Sequence, residues 1–177
     1  MRKKSCLFAF VFILISNNLY CQNLINIFFS ARTQGMLQKG YGITITIMND
    51  ESRMEYTSKS LGVLSAHSVI KDVPSGHYVV TNMEVPLGGI IYYVQSDLLK
   101  TYFDIITVKS ENTYYLGNFY GIRGHGKNSE FFLRTKTNEI PNKLFRIASN
   151  KKLISENPNW IICSPPKEKH LIIYSRN

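Results

Sequence analysis

Strict alternation of isoleucine with threonine is the feature that most limits how this chain can fold. Residues 41–48 read YGITITIM, so every isoleucine falls on one side of an extended strand and every threonine on the other. In a helix the same residues would be spread around the axis, because helical side chains repeat about every 3.6 residues. The segment therefore predicts a β-strand with one buried face and one solvated face.

Similar runs recur along the chain. β-Branched and aromatic residues alternate with polar ones between turn residues, as strands require. The residues PSG at 74–76 are typical of a tight reversal, because proline fixes φ and glycine accepts a positive φ. The residues PLGG at 86–89 predict the end of a strand. Up to nine predicted strands cover residues 25–32, 41–48, 53–56, 68–73, 77–85, 90–94, 101–109, 113–122 and 131–136, and residues 171–174 are a further candidate, a final edge strand.

One helix is predicted, around residues 141–156. Pro141 suits the first turn, and Pro158 lies beyond the end of the helix. The apolar residues that share one face are Leu144, Ile147, Ala148 and Ile154. No helices of 10–15 residues alternate with the strands, which argues against a parallel α/β sheet. The pattern predicts a mainly β protein: an antiparallel β-sandwich of about seven to nine strands with one C-terminal helix.

The N-terminus has the layout of a secretory signal peptide. Arg2, Lys3 and Lys4 precede ten apolar residues at 6–15, and a polar-to-mixed segment follows at 16–21. Ten residues span only about 15 Å as a helix, half of the hydrocarbon core, which disfavours a transmembrane anchor. We expect cleavage after Cys21 and export to the periplasm or beyond. Residues 22–177 would then form a single domain.

Lipid attachment to Cys21 is the alternative processing route. The residues before this cysteine are Asn18, Leu19 and Tyr20, which fit the lipobox of a bacterial lipoprotein poorly. Cleavage after Cys21 leaves Cys163 as the one remaining cysteine, so neither an intramolecular disulfide nor a cysteine-based metal site can form. Its neighbours Trp160, Ile161 and Ile162 predict a buried thiol with a raised pKa.

Three motifs occur in order: VPSGHYVV at 73–80, FDIITV at 103–108 and ENTYYLGN at 111–118. Together they resemble bacterial envelope modules with a transthyretin-like (prealbumin-like) β-sandwich, over about residues 24–136. The resemblance implies a sandwich of the transthyretin or immunoglobulin type. It implies no catalytic residues, because most such modules have no assigned activity. The segment from Pro141 to Asn177 lies outside the pattern.

The chain carries few signals for catalysis. His67, His77, His125 and His170 show none of the spacings typical of metal ligands, so we predict no metal and no cofactor. Neither a nucleophile elbow nor a nucleotide-binding loop is present. His125 lies between two glycines in a basic loop and is the best candidate for a ligand contact, since loops carry function disproportionately. The alternative is an ordinary solvated loop.

Positive charge is concentrated toward the C-terminus. Residues 22–122 hold seven lysines and arginines against eight carboxylates, whereas residues 123–177 hold eleven against four. A basic face would attract an anionic partner, although it is equally consistent with an ordinary solvated surface. The predicted partners are an envelope protein, a glycan or an anionic lipid, and export argues against nucleic acid. The residues predicted to bind the ligand are Tyr115, Arg123, His125, Lys127 and Arg134.

Paired tyrosines add a second feature. Tyr92-Tyr93 and Tyr114-Tyr115 occur on predicted strands, and adjacent strand residues point to opposite faces. One tyrosine of each pair should therefore face outward, where it could stack on a sugar or anchor a partner. Packing against a sheet edge or under the C-terminal helix is the favoured alternative, because strands favour aromatic residues in any case.

Two functions are compatible with these sequence features. The first is an exported, non-catalytic binding module, which the absence of local catalytic motifs favours. The second is a small exported hydrolase whose site is assembled from distant residues near His125. The sequence gives no signal for an oligomeric state.

Overall fold

The computed structural model of the protein describes residues 24–33, 42–62, 65–87, 90–94, 96–123, 131–137, 139–163 and 170–175. The predicted signal peptide, His125 and Lys127 lie outside these ranges. Within them the chain is mainly β, with twelve strands and two helices. The helices are α1 (Ser96–Tyr102) and α2 (Asn142–Asn150). The strands are β1 (Ile25–Thr33), β2 (Thr44–Asn49), β3 (Glu55–Thr57), β4 (Lys59–Ser60), β5 (His67–Val73), β6 (Gly76–Leu87), β7 (Ile90–Tyr93), β8 (Ile106–Val108), β9 (Thr113–Arg123), β10 (Phe131–Thr137), β11 (Trp160–Ile162) and β12 (His170–Ser175).

The strands form two hydrogen-bonded sheets. Sheet A has the order β4-β5-β1-β9-β10-β12, and sheet B has the order β3-β2-β6-β7-β12, so β12 pairs with both. The short strands β11 and β8 pair with β9 and β6. Ser58 alone separates β3 from β4, and the chain therefore crosses from sheet B to sheet A at this residue.

The pairing is mixed rather than purely antiparallel. β1 runs parallel to β9, and β11 also runs parallel to β9, whereas the other described pairs are antiparallel. Parallel neighbours need a long connection, and about eighty residues separate β1 from β9. The expectation of an entirely antiparallel arrangement is therefore wrong, because long-range pairing is not encoded in local alternation.

The central core contains buried side chains from both sheets. Ile43, Ile45 and Ile47 are buried in it, as the alternation predicts. The opposite face of β2 is less exposed to solvent than expected, because Thr46 is also buried and its hydroxyl lies 3.0 Å from that of Thr57. Residues of β1, β5, β6, β8, β9 and α1 complete the core.

A second, smaller cluster lies between sheet A and α2, and we call it the α2 layer. Its fully or nearly fully buried members are Phe28, Leu61, Val69, Tyr115, Leu144 and Ala148. The four predicted apolar positions of the helical segment all contribute to it, although α2 ends at Asn150, earlier than expected. Asn26 donates a hydrogen bond from Nδ2 to the Leu153 carbonyl at 2.8 Å, which fastens the end of this segment to β1.

Two local predictions are wrong. The segment predicted as a strand at 101–109 begins inside α1, whose spacing buries Leu99 and Tyr102 together, and β8 keeps only three residues. The segment at 171–174 lies in β12, which pairs with β10 through residues 170–173 and with β7 through Tyr174 and Ser175, so it connects two strands instead of ending a sheet. The strand end predicted at residues 86–89 is confirmed, because β6 ends at Leu87. The ladder to β2 stops at Glu84, so Pro86 has one neighbouring strand, where proline is tolerated.

Two other predictions are confirmed. The turn at 74–76 places Gly76 at a φ of 157°, which strains any residue with a side chain, and a Cβ there would lie 2.8 Å from Nδ2 of Asn49. The Tyr78 hydroxyl donates to the Pro74 carbonyl at 2.8 Å and closes the turn. Cys163 is partly and not fully buried, but its side chain packs against the central core, and this burial raises its pKa to about 11 as expected.

Candidate functional site

The predicted ligand-binding residues do not form one compact site. Arg123 is the last residue of β9, and Arg134 lies in β10, where it pairs with Tyr120. Tyr115 is eight residues before Arg123 on the same strand, which places their backbones roughly 26 Å apart at about 3.3 Å per residue. The structure therefore separates Tyr115 from the two arginines.

Tyr114 and Tyr115 are both buried, so the expectation that one of them faces outward is wrong. Tyr114 packs in the central core and Tyr115 packs in the α2 layer, because β9 is covered on both faces. This outcome matches the favoured alternative, in which a tyrosine packs under the C-terminal helix. Tyr92 and Tyr93 follow the original expectation, since Tyr92 is buried and Tyr93 is 36% exposed.

A buried polar cluster lies beside Tyr115. Ser30 and His67 are partners in the β1–β5 ladder and are 2% and 4% exposed. The Ser30 hydroxyl lies 2.7 Å from Nδ1 of His67, a hydrogen bond in which serine donates when the neutral imidazole carries its proton on Nε2. A buried histidine of this kind needs a partner, because an unsatisfied polar group inside a protein costs about 1–3 kcal/mol.

The third member of the cluster is the Tyr115 hydroxyl. It is fully buried and makes no hydrogen bond within the described residues. Ser30 lies close enough to favour the ionised phenol to some extent, but the geometry falls short of a hydrogen bond. Burial is the stronger effect and raises the pKa of Tyr115 to about 12.

Burial also lowers the pKa of His67, and two positive side chains lower it further. These are Lys143, in the first turn of α2, and Arg32, two residues after Ser30 on β1. His67 is therefore neutral at pH 7. Both cations are exposed, so they lie above the buried imidazole near the surface.

The serine–histidine pair does not have the arrangement that nucleophilic hydrolysis uses. In that arrangement serine contacts Nε2, and a carboxylate orients the imidazole through Nδ1. Here serine occupies Nδ1, both groups are buried, and the charges that act on His67 come from cations. The cluster is therefore a packed polar element of the α2 layer. The predicted alternative of a hydrolase centred on His125 concerns a residue outside the described ranges.

The cations around this cluster define a basic face. We give this name to Arg32 on β1, Lys143 and Arg146 on α2, and the backbone position of Arg134 on β10. Lys143 and Arg146 are neighbours at a spacing of three on α2, and both are exposed. Arg32 pairs with Tyr120, which pairs with Arg134, so the two arginine backbones stand two strands apart, roughly 10 Å. Lys151 and Lys152 extend the positive charge past the end of α2.

Among the described side chains, no carboxylate forms an ion pair with Arg32, Lys143 or Arg146. The ion pairs in that part of the chain join Arg53 to Asp50 at 4.0 Å and Lys100 to Asp97 at 3.8 Å, both at exposed sites elsewhere. The basic face therefore keeps its charge available for an external anion.

Sequence reasoning missed Arg32, Ser30 and His67. Ser30 and Arg32 lie on the polar side of an alternating strand, a position that reads as solvent-facing. Their role depends on pairing with β5 and on coverage by α2, and both are long-range contacts. Charge alone points to Arg134, and the structure places it in the same cross-strand row as Arg32.

The described residues hold no group of three histidine, cysteine or carboxylate side chains able to share a metal ion. None of the helices in those ranges is long and apolar enough to span a bilayer. Comparison of the chain with protein-family models, with curated proteins and with solved structures finds no significant match.

Proposed function

We propose that the protein is an exported, non-catalytic β-sandwich module that binds an anionic surface of the cell envelope through its basic face. The observation that carries this proposal is the convergence of Arg32 and Lys143. They come from different elements, both act electrostatically on His67, and neither has a carboxylate partner among the described residues.

Surface charge of one sign attracts an oppositely charged partner and accelerates association. Each lysine or arginine near an anionic bilayer contributes about 1 kcal/mol of binding free energy. The helix α2 holds Lys143 and Arg146 on a rigid scaffold, since its opposite side packs into the α2 layer through Leu144 and Ala148. Because the backbone positions of these cations are fixed, only their side chains lose conformational entropy when they meet an anionic partner.

Two further features support the export and sandwich parts of the proposal. The N-terminal segment has the charge and length pattern of a signal peptide. Side chains from both sheets share one apolar core, as is expected of two sheets packed face to face. The resemblance to transthyretin-like envelope modules is consistent with both.

Cosedimentation with vesicles tests the binding. Vesicles containing phosphatidylglycerol should pellet the protein at about 50 mM salt and release it at about 500 mM, because salt screens surface charge. Vesicles of phosphatidylcholine alone should not pellet it. The double variant Arg32→Glu/Lys143→Glu should bind at least about tenfold more weakly, whereas Lys100→Glu/Lys109→Glu, the same two charge reversals at exposed lysines outside the basic face, should bind normally. Equal binding by both variants would contradict the proposal.

Intact mass tests the processing. The full chain expressed in a bacterial host should yield a soluble product whose N-terminus is Gln22. A diacyl or triacyl mass increment at Cys21 in the membrane fraction would contradict this part of the proposal. Such a product would be a tethered lipoprotein, with the basic face set against the membrane that holds it.

A further inference from the structure

A pocket lies on the opposite side of β5 from His67, because Ser68, which lines it, points away from the α2 layer. It is an open-sided pocket of about 290 Å³ where the ends of both sheets meet. Three cross-strand pairs converge on it: Thr44 with Glu84, Ser60 with Ser68, and Pro86 with Ile91. Its volume is at the lower end of the range for ligand sites, roughly 300–1,000 Å³, which suits a molecule of one or two rings.

Hydroxyl groups provide most of the polar lining. Ser68 is only 4% exposed and makes no side-chain hydrogen bond within the described residues, yet its oxygen is not sealed from solvent, because it opens into the pocket. Ser58 accepts a hydrogen bond from the Ile45 backbone N–H at 2.9 Å, which leaves its own proton available. With Thr44, the pocket therefore presents several donors on rigid strands.

Glu84 supplies the charged acceptor. Its Oε1 accepts a hydrogen bond from Nδ2 of Asn82 at 3.1 Å, which orients the carboxylate and leaves Oε2 without a partner in the described ranges. Among the described residues, no lysine or arginine lines the pocket, so the charge of Glu84 disfavours an anionic ligand. A single carboxylate is also too few ligands for a divalent cation.

Two aliphatic side chains, Pro86 and Ile91, line the pocket, and an aromatic one, Tyr93, stands beside its Glu84. Tyr93 is the direct ladder partner of Glu84, and opposite residues of an antiparallel pair share a face of the sheet. Tyr93 and Ile91 are 36% and 46% exposed, so an apolar surface lies beside the carboxylate. Pro86, opposite Ile91, adds to this surface at the pocket itself.

We infer that this pocket binds a neutral pyranose sugar. Adjacent hydroxyls of the ring would donate to Glu84 and accept from Ser68, Ser58 and Thr44, while a C–H face of the ring would contact Tyr93 and Ile91. A purely apolar ligand would bury the hydroxyls and the carboxylate without partners, at a cost that burial of its surface does not recover. Ser68 points to the opposite side of β5 from His67, and a neutral sugar is a different class of ligand from the anionic partner proposed above.

Saturation-transfer NMR on the processed protein tests this inference. The probes are the methyl glycosides of glucose, galactose, mannose and N-acetylglucosamine, each at about 10 mM, a concentration suited to millimolar affinity. At least one should receive saturation from the protein. Glu84→Gln should weaken its binding about tenfold, because hydrogen bonds to a charged group are the stronger ones. Tyr93→Ala should weaken it by a smaller factor.

A matched control variant distinguishes sugar binding in the pocket from nonspecific sugar binding elsewhere on the protein. Glu111→Gln makes the same chemical change at an exposed turn and should leave sugar binding unchanged. Ser68→Ala, which removes one pocket hydroxyl, serves as a second test if Glu84→Gln fails to fold. The inference is overturned if no glycoside receives saturation, if binding is unchanged in the folded pocket variants, or if putrescine binds at Glu84 and the sugars do not.

Discussion

The two sides of sheet A are packed in different ways. Its inner side faces the central core, where the tyrosine hydroxyls reach partners: that of Tyr78 donates to Pro74, and that of Tyr114 accepts from the Lys109 N–H at 2.7 Å. Its outer side faces the α2 layer, where Ser30 and His67 are buried together and the Tyr115 hydroxyl has no hydrogen-bond partner within the described residues. The core is built for stability, whereas the α2 layer carries buried polar groups directly beneath the basic face.

This difference separates a region that stabilises the fold, the central core, from one that holds polar and charged groups, the α2 layer. Buried polar groups contribute less to stability than apolar ones, and an unsatisfied hydroxyl is a net cost. The α2 layer carries this cost at the place where charged residues from β1 and α2 are held together. Four perturbations test whether the two layers differ as described.

The largest expected effect on stability comes from truncating one buried apolar side chain in each layer. Ile45 in the core and Leu144 in the α2 layer are both fully buried. Truncation to alanine of such residues costs about 2–5 kcal/mol, depending on how far the surroundings collapse. We expect Ile45→Ala near the top of this range and Leu144→Ala near the bottom, because α2 can shift against the sheet. Urea denaturation measures the free energy of unfolding of both variants, and equal decreases would contradict the proposed difference between the two layers.

Breaking the buried hydrogen bond should have the next largest effect. Ser30→Ala leaves Nδ1 of His67 without its partner and should lower the free energy of unfolding by about 1–3 kcal/mol. Ser75→Ala, the same change at an exposed turn position, should have little effect. The interaction is disproved if the two variants unfold at the same urea concentration.

His67 makes stability depend on pH. Its pKa in the folded protein lies below the ordinary value of 6.5 because of burial, Lys143 and Arg32. Below pH 6.5 the unfolded chain therefore takes up the proton first, so stability is complete above this pH and is lost as the pH falls below it. The slope is at most about 1.4 kcal/mol per pH unit for one group. Thermal unfolding from pH 8 to pH 5 should show this loss, and His67→Asn should reduce it. His77→Asn, at an exposed histidine, should not.

The smallest expected effect distinguishes the two adjacent tyrosines. Tyr115→Phe removes a buried hydroxyl that has no hydrogen bond within the described residues, so it should leave stability unchanged or raise it by up to about 1 kcal/mol. Tyr114→Phe removes the acceptor of the Lys109 N–H and should lower stability by about 1 kcal/mol. Chemical denaturation of the pair provides the measurement. The reverse order would contradict the contrast between the layers.

The local sequence pattern is sufficient to predict many of the strands, the turn before β6 and the apolar face of α2. Alternation identifies β2 and its buried isoleucines, proline and glycine identify the turn before β6, and helical spacing identifies the face of α2. It fails where distant segments decide the outcome. Residues 101–102 belong to α1 because that helix packs on β6, and β12 connects two strands because it pairs with both β7 and β10.

The candidate site is harder to predict for the same reason. Charge points to Arg134, but its neighbour Arg32 becomes apparent only through the β1–β9–β10 register. Pattern predicts Tyr115 as a ligand-binding aromatic residue, yet it is buried, because α2 covers its face of β9. Neither the pocket at Glu84 nor the Ser30–His67 pair has a local signature, since each joins residues from separate strands.

The most direct test of the basic face is residue-level mapping of the contact. Two-dimensional amide NMR of the processed protein should be recorded with and without nanodiscs containing phosphatidylglycerol. Our account predicts that resonances of Arg32, Lys143 and Arg146 broaden first, that salt reverses the broadening, and that Arg32→Glu/Lys143→Glu abolishes it. Broadening centred on sheet B, or broadening that the double variant retains, would contradict the account.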